Sequence, residues 1–290
     1  MKMTYNNNLS TLAFHDKLSE QNHRASYAFG QIYPLYANTS QLLPFQLMRT
    51  HRNDAITRVD VFDRKGVFVR QMLSEMLNAG LEIVSYSDYG IDVIKFPANY
   101  TMATNLEEGM YYLEISDGVQ TWYSDMLTLV NDLSAYTMIE WYDTDDLYFD
   151  AGIINYQGGY RNRLYFPNEL GKPEYQFEEE GESRDGYFFA EKQVSQKTYK
   201  CTILAPEFVV DAMRLIRLSD IVNVRDKFGR TYDCDTFLIT PQWQTQGDLA
   251  QVEIEFTTST VVKKIGRGYL LGNRGDYNDD FNDDFNNFDN

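Results

Sequence analysis

The sequence predicts a mainly β protein, a β-rich α+β fold in which one helix accompanies many short strands. Runs that alternate apolar and polar residues recur along the chain, as at 56–62 and 251–256, and a period of two is typical of strands with one buried face. Turn sequences separate these runs, for example Asp117 followed by Gly118. Residues 206–220 instead have the period of an amphipathic helix.

Residues 40–132 are predicted to form an immunoglobulin- or fibronectin-like β-sandwich, because strands of this length with closely spaced turns are typical of that module. Turns are expected at 63–66, 88–90 and 116–118, each ending in glycine. The predicted strands are 43–48, 56–62, 67–73, 81–86, 91–96, 110–115 and 121–129.

Residues 133–266 are predicted to form a second β-sheet domain with the single helix packed on it. Pro206 suits the first turn of that helix, since its missing N–H is not needed there. The expected apolar stripe is Phe208, Val209, Ala212, Met213 and Ile216. The acidic run 178–186 is predicted to be a solvated loop. The predicted strands are 136–142, 161–166, 187–189, 197–204, 221–225, 230–239 and 249–257.

The two ends of the chain are predicted to differ in structure from its centre. Residues 1–39 are predicted to be an extended arm with at most a short helix around 11–22, ordered by a neighbouring subunit. Residues 267–290 are a low-complexity acidic tail rich in Asn, Asp and Phe that cannot fold alone. Its phenylalanines at 281, 285 and 288 fit either a partner's groove or a mobile tail.

The charge balance restricts the possible partners. With 43 acidic and 26 basic residues the net charge is −17, so the chain repels phosphate and is not expected to bind DNA non-specifically. An acidic channel wall would, however, let DNA pass without sticking. The N-terminus has no apolar signal region, and no apolar run approaches the roughly 18 residues that span a bilayer. We therefore expect synthesis in the cytoplasm and no membrane span.

Two acidic clusters are candidate metal sites, and each also has a simpler explanation. Asp143, Asp145 and Asp146 follow a strand, where aspartates are more often turn formers than ligands. The tail segment that begins at Asp276 starts like a calcium loop. It has Phe281 where the loop needs glycine and Asn287 where it needs a bidentate glutamate. The sequence therefore predicts no metal site.

The residues that carry catalysis in other proteins lack a recognisable setting here. The glutamates at 178–180 and 182 could supply a glycosidase pair, although any acidic chain offers such pairs. His15, His23 and His51 accompany no nucleophile motif, and no phosphate-binding glycine motif occurs. Cys201 and Cys234 read as lone, reduced thiols. We predict a protein that is not an enzyme, with no catalytic residue and no cofactor.

Several runs resemble virion proteins of tailed phages that infect Bacteroides-type bacteria, crAss-like podoviruses included. The resemblance covers roughly residues 40–266 and leaves out the arm and the tail. The similar runs are GMYYLEISDG (109–118), WYS (122–124), GKPEY (171–175), EEEGE (178–182), DGYF (185–188), KTYKC (197–201), GDLA (247–250), VEIEF (252–256) and VVKKIG (261–266).

The resemblance implies a structural protein of the virion tail or neck that assembles as a homo-oligomeric ring. It also likens residues 133–266 to the tail-tube and distal-tail fold, in which neighbouring subunits pair their sheets into a barrel. The implied partners are neighbouring tail, neck or portal proteins, with DNA as transient cargo in the lumen. From this we expect acidic side chains of 133–266 to face a channel, and deletion of 1–39 to weaken assembly without unfolding the domains.

Two alternatives remain open on the sequence alone. The aromatic content and the predicted β-sandwich also suit a glycan-binding module, and the acidic residues also suit an acidic glycoside hydrolase.

Overall fold

The computed structural model describes residues 10–27, 30–97, 101–102, 105–144, 159–243 and 247–264. It is mostly β, with several antiparallel sheets and one helix of more than two turns among the described residues. The predicted β-rich α+β fold class is confirmed.

The described part of the N-terminal half contains short strands, one short helix and two single turns of 3-10 helix, at Leu18–Glu20 and Ser87–Tyr89. The helix α1 is Leu73–Asn78. The strands are β1 (Phe14–His15), β2 (Ser26–Tyr27), β3 (Gln31–Ile32), β4 (Leu35–Asn38), β5 (Phe45–Thr50), β6 (Arg58–Asp63), β7 (Phe68–Gln71), β8 (Glu82–Tyr86), β9 (Ile91–Phe96), β10 (Gly109–Ser116), β11 (Thr121–Ser124) and β12 (Leu127–Val130).

Two sheets of this half face each other as a β-sandwich. In the larger sheet β10 pairs with β6 along one edge and with β11 and β12 along the other. Strand β7 extends it beyond β6, while β1 and β4 extend it beyond β11 and β12. The smaller sheet has the order β5-β9-β8. Phe14 and Phe45 join the two sheets, with ring centroids 4.9 Å apart.

The alternating sequence puts apolar side chains on the inner faces of both sheets, and this burial is the main driving force for their packing. The inner residues are 8% exposed or less, and include Val59, Val61, Leu113, Ile115, Phe45, Leu47, Ile94 and Phe96.

The predicted strand 121–129 is interrupted at Asp125. The Asp125 carboxylate is fully buried and accepts hydrogen bonds from the Ala13 backbone N–H (3.1 Å) and from Arg24. The Ser124 hydroxyl, and not a backbone carbonyl, accepts a hydrogen bond from the Leu113 backbone N–H at 2.9 Å. The chain therefore runs as two strands, β11 and β12, on either side of a buried charge.

The predicted arm is wrong for the described part of residues 1–39. Strand β1 pairs with β11, and β4 pairs in parallel with β12. Leu12, Phe14, Leu35 and Ala37 are 5% exposed or less. Their apolar side chains complete the sandwich core, so these residues belong to the fold and not to an extended arm.

The C-terminal half has longer strands. The helix α2 is Glu207–Arg214, and a 3-10 turn, Leu215–Leu218, continues it. The strands are β13 (Thr137–Tyr142), β14 (Asn162–Phe166), β15 (Glu174–Arg184), β16 (Tyr187–Ala205), β17 (Ile221–Arg225), β18 (Thr231–Asp233), β19 (Thr236–Trp243) and β20 (Ala250–Lys264).

These strands form two antiparallel sheets, with the orders β14-β13-β17-β18 and β15-β16-β20-β19. The predicted helix is present, and each residue of its expected apolar stripe is 4% exposed or less. Pro206 is the N-cap residue, one position before the first turn. The predicted strand 230–239 divides at Cys234, because β18 belongs to one sheet and β19 to the other.

The predicted acidic loop at 178–186 is wrong, because these residues belong to a hairpin that joins β15 and β16. Its turn is formed by Asp185 (φ 50°) and Gly186 (φ 83°). Both residues have the positive φ that the tightest hairpin turns require, and an Asp-Gly pair tolerates it. The turn therefore closes two long strands in a region where the glutamates alone suggest a coil.

The two halves pack on each other through Arg24, Tyr33 and Tyr36. The Tyr33 hydroxyl donates to the Leu204 carbonyl at 2.9 Å, and the Tyr36 and Tyr136 ring centroids are 4.9 Å apart. One hydrophobic cluster runs from Leu12 to Phe256. The domain boundary at 132/133 stays a prediction, and the boundary at 266/267 lies outside the described residues. None of the helices in the described part of the chain has the length and hydrophobicity needed to span a bilayer.

Candidate assembly surface

The outer sheet of the C-terminal half, β15-β16-β20-β19, has two unlike faces. Along β20 the burial alternates: Val252, Ile254 and Phe256 are 1% exposed or less, whereas Glu253 is exposed. The apolar residues contribute to the main core. Glu253 and Glu255 lie on the opposite side, which we call the open face. This face is solvent-accessible, and by register it also carries Lys200 and the exposed side chains of Leu204 and Leu238.

The hairpin of β15 and β16 extends beyond the other strands of this sheet. Among the described residues the last pair between β16 and β20 is Lys192 with Lys264, so within that part of the chain residues 181–190 form a two-stranded ribbon. A two-stranded ribbon by itself is marginally stable in water. We call this ribbon the hairpin tip.

Large apolar side chains are exposed along this hairpin. Phe177 is 74% exposed, and Tyr187 and Phe188 at the tip are 72% and 52% exposed. Phe177 pairs with Ser195, which in turn pairs with Val261, itself 63% exposed. Side chains at paired positions share a face, so Phe177 and Val261 belong to one apolar strip. Clustered exposure of this kind is found at protein interfaces, at membrane-contacting surfaces and at ligand-binding grooves.

Both edges of the outer sheet are unpaired among the described residues, at β15 and at β19. Unpaired edges present free N–H and C=O groups to any strand that approaches. The glutamates at 178–180 lie on the β15 edge, where their charge opposes indiscriminate pairing. The outer sheet thus has two edges that are unpaired among the described residues, and an exposed apolar strip.

A separate cleft of about 750 Å3 lies between the N-terminal segment, the start of α2 and the end of β19. Trp243, 47% exposed, lines it together with His23, Asp211 and Asp248. The Arg24 guanidinium lies 4.4 Å from the Phe208 ring centroid at the same cleft.

The candidate metal residues do not form a cluster among the residues that the structure describes. The Asp143 carboxylate accepts the Asp220 backbone N–H at 3.1 Å, as a turn-forming aspartate does. Asp145, Asp146, the calcium-like segment from Asp276 and the tail phenylalanines lie outside the described residues. Within the described ranges no group of three or more His, Cys, Asp or Glu could hold a metal ion.

The candidate glycosidase glutamates lie on the hairpin. Glu179 accepts from the Gln193 amide at 2.7 Å, and Glu180 pairs with Lys192 at 3.0 Å. Neighbouring residues of a strand point to opposite faces, so Glu178 and Glu180 lie on one face of the hairpin and Glu179 lies on the other.

Two of the three histidines contact buried carboxylates. His15 Nε2 lies 2.8 Å from Asp125 and His51 Nδ1 lies 2.6 Å from Asp92, whereas His23 lines the cleft. Both cysteines are free and half-buried. Burial raises the pKa of the Cys201 thiol to about 11, which leaves it protonated and unreactive at neutral pH.

A buried charge network, which the sequence did not reveal, holds the sandwich together. Arg49, 2% exposed, donates to Asp92 at 3.0 Å and to Asp117 at 2.6 Å. Burial opposes ionisation of Asp92, but hydrogen bonds from His51, Ser85 and Arg49 outweigh it and lower its pKa. These contacts give Arg49, Asp92 and Asp117 a structural role.

No protein-family model, no curated protein and no solved structure matches this chain.

Proposed function

We propose that this chain is a structural protein that assembles as a ring of a phage tail or neck and forms part of the conduit for the genome. The exposed apolar side chains of the long hairpin carry the proposal: Phe177 with Val261 in the apolar strip, and Tyr187 and Phe188 at the hairpin tip. These side chains stay in water in the single chain, and burying them against a neighbouring subunit provides the driving force for association. The assignment to a phage tail rests on the sequence resemblance.

The two sheet edges give this assembly a geometry. If β15 of one subunit pairs with β19 of the next, the outer sheets join in the same direction around a closed ring. The open face then forms one continuous surface. Its carboxylates Glu253 and Glu255, of which Glu255 pairs with Lys200 at 3.4 Å, would repel DNA phosphates and let the genome pass without binding. The buried face and helix α2 lie on the other side of each sheet.

The test is the native mass of the purified chain, with class averages from negative-stain images. A closed ring with a central hole is the expected result. The variant Phe177→Ser/Tyr187→Ser/Phe188→Ser should stay monomeric with an unchanged circular dichroism spectrum, because these rings contribute little to the core of the single chain. Val119→Ser, at a residue 72% exposed on the sandwich, is the matched control and should still form rings. The proposal would be contradicted by a wild-type chain that stays monomeric at every concentration and also when the assembled virions that should contain it are added.

The cleft beside Trp243 favours a second candidate, a glycan-binding module. Aromatic rings with nearby carboxylates suit the apolar faces and hydroxyl groups of sugars. The chain has 3 tryptophans, and Trp122 and Trp141 are 2% exposed or less. Quenching of tryptophan fluorescence by an added oligosaccharide would therefore report on Trp243. Saturable quenching that Trp243→Phe abolishes would support this candidate over the ring.

A further inference from the structure

A groove lies at the base of the hairpin, between residues 169–175 and the turn that joins β17 to β18. Its volume is about 350 Å3. We call it the basic groove, because the lining contains more cations than carboxylates in a chain whose net charge is −17. The rings in its lining are Tyr175, Tyr199 and Phe228, and the cations are Lys172, Lys197, Lys227 and Arg230.

The cations of the groove are arranged around exposed rings. Phe228 is 70% exposed at the tip of its turn, with Lys227 Nζ and Arg230 Cζ each 5.1 Å from its ring centroid. Tyr175 is 64% exposed, and Lys197 Nζ lies 5.3 Å from the Tyr199 centroid. An aromatic ring exposed between cations is suited to contact an aromatic ring of a ligand that also has carboxylates close to that ring.

Part of the positive charge in the groove is not neutralised locally. Lys227 pairs with Glu169 at 2.5 Å, and Arg230 pairs with Asp226 at 2.6 Å. Lys172 and Lys197, in contrast, have no carboxylate partner within the described ranges. A complementary ligand therefore carries several carboxylates interspersed with aromatic rings.

The chain itself contains such a ligand. Residues 276–290 include six aspartates, three phenylalanines and one tyrosine, and no lysine or arginine. The spacing Asp-Asp-Phe-Asn-Asp-Asp-Phe repeats acid and ring every few residues. This composition complements the basic groove in both charge and aromatic character.

The tail is also tethered within reach of the groove. Strand β20 ends at Lys264, which pairs with Lys192, five residues along β16 from Lys197. At the rise of a β-strand this separation is about 17 Å. The twelve residues from 264 to 276 can span up to about 40 Å. A tethered segment that reaches its site has an effective concentration in the millimolar range, which favours binding within one molecule over binding between molecules.

We propose that residues 276–290 of this chain dock in the basic groove of the same molecule. Their phenylalanines contact Phe228 and Tyr175, and their aspartates face Lys172 and Lys197. This inference does not depend on the ring, and it predicts that a partner protein gains access to Phe228 only by displacing the tail.

Carbodiimide cross-linking of the full-length chain tests the proposal, because this reagent joins a lysine amine directly to an aspartate carboxylate that touches it. The expected products, read by mass spectrometry in the monomer fraction, link Lys172, Lys197 or Lys227 to aspartates at 279–284. Their yield should stay constant over a roughly tenfold range of protein concentration, as an intramolecular contact requires.

Two ring-removing variants keep every lysine and aspartate in place. Phe228→Ala and Phe281→Ala/Phe285→Ala/Phe288→Ala should each lower the yield of these links about fivefold or more, since the loss of aromatic contacts weakens docking by that order. Val119→Ala is the control and should leave the yield unchanged. Links spread evenly to distant lysines such as Lys17 and Lys65, a yield that rises with concentration, or no response to Phe228→Ala would each overturn the proposal.

Discussion

At the scale of single residues, buried carboxylates hold the N-terminal half in its conformation. The Asp125 carboxylate ties the first strand and Arg24 to the larger sheet, and Asp92 and Asp117 share Arg49 between the two sheets. Removing one partner of such a pair leaves the other charge without compensation in a low-dielectric site. The free-energy cost of that unpaired charge is larger than the stabilisation that the intact pair provides. These residues therefore restrict which conformations the segment can adopt.

Asp125→Asn tests this role directly. The amide still accepts the Ala13 N–H, but the Arg24 guanidinium, whose side chain is 12% exposed, loses its counter-charge. We expect the free energy of unfolding in urea to fall by about 3–5 kcal/mol. Asp88→Asn, on an exposed turn, makes the same chemical change and should alter it by less than about 0.5 kcal/mol. Equal effects of the two substitutions would show that the buried pair is dispensable.

The same carboxylates predict how stability depends on pH. Although burial opposes ionisation, hydrogen bonds and neighbouring cations lower the pKa of Asp92, Asp117 and Asp125 in the folded state. The unfolded chain therefore binds protons first as pH falls below about 4. We expect urea midpoints to be constant near neutral pH and to fall steadily below that value. Asp60, whose pKa burial raises, opposes this trend only in part. A midpoint at pH 3 as high as at pH 7 would contradict the assignment.

At the scale of elements, the local pattern predicts strands well where burial on one face decides the structure. Alternation placed β6 and β10, and the helical period placed α2 with its 3-10 extension, within a few residues of their observed bounds. It failed where a distant partner decides. The glutamates at 178–180 have poor strand propensity, yet they are strands because the Asp185 turn brings β16 alongside them. The groove, whose lining comes from segments far apart in sequence, could not be predicted at all.

The N-terminal segment is the clearest such failure, and it changes one prediction. Deleting residues 1–39 should now unfold the sandwich at lower temperature, because the deletion removes β1, β4 and their core side chains. Leu12→Ala is a milder test: Leu12 is 0% exposed, and its truncation should cost about 2–5 kcal/mol. Leu18→Ala, in the same segment but 48% exposed, should cost far less. Similar, small losses for both in urea unfolding would restore the view of a loosely held arm.

At the scale of the whole molecule, attraction through apolar surface opposes repulsion between like charges. Each chain carries −17, so approaching copies repel one another until the exposed rings of the hairpin are in contact. Repulsion between exposed charges is screened over about 10 Å at 0.1 M salt, whereas burial of apolar surface does not depend on screening. The balance between them sets the conditions under which a ring of this protein forms.

The fraction of chain in rings should therefore increase as salt rises from about 0.02 M to about 0.3 M, the range in which screening becomes effective. Sedimentation velocity at fixed protein concentration measures this fraction. The variant Phe177→Ser/Tyr187→Ser/Phe188→Ser should remain monomeric at every salt concentration, because screening removes repulsion without replacing the lost apolar contact. If the ring fraction instead falls with salt, the subunits are held by charge pairs across the interface, and the hairpin strip is not the surface that drives assembly.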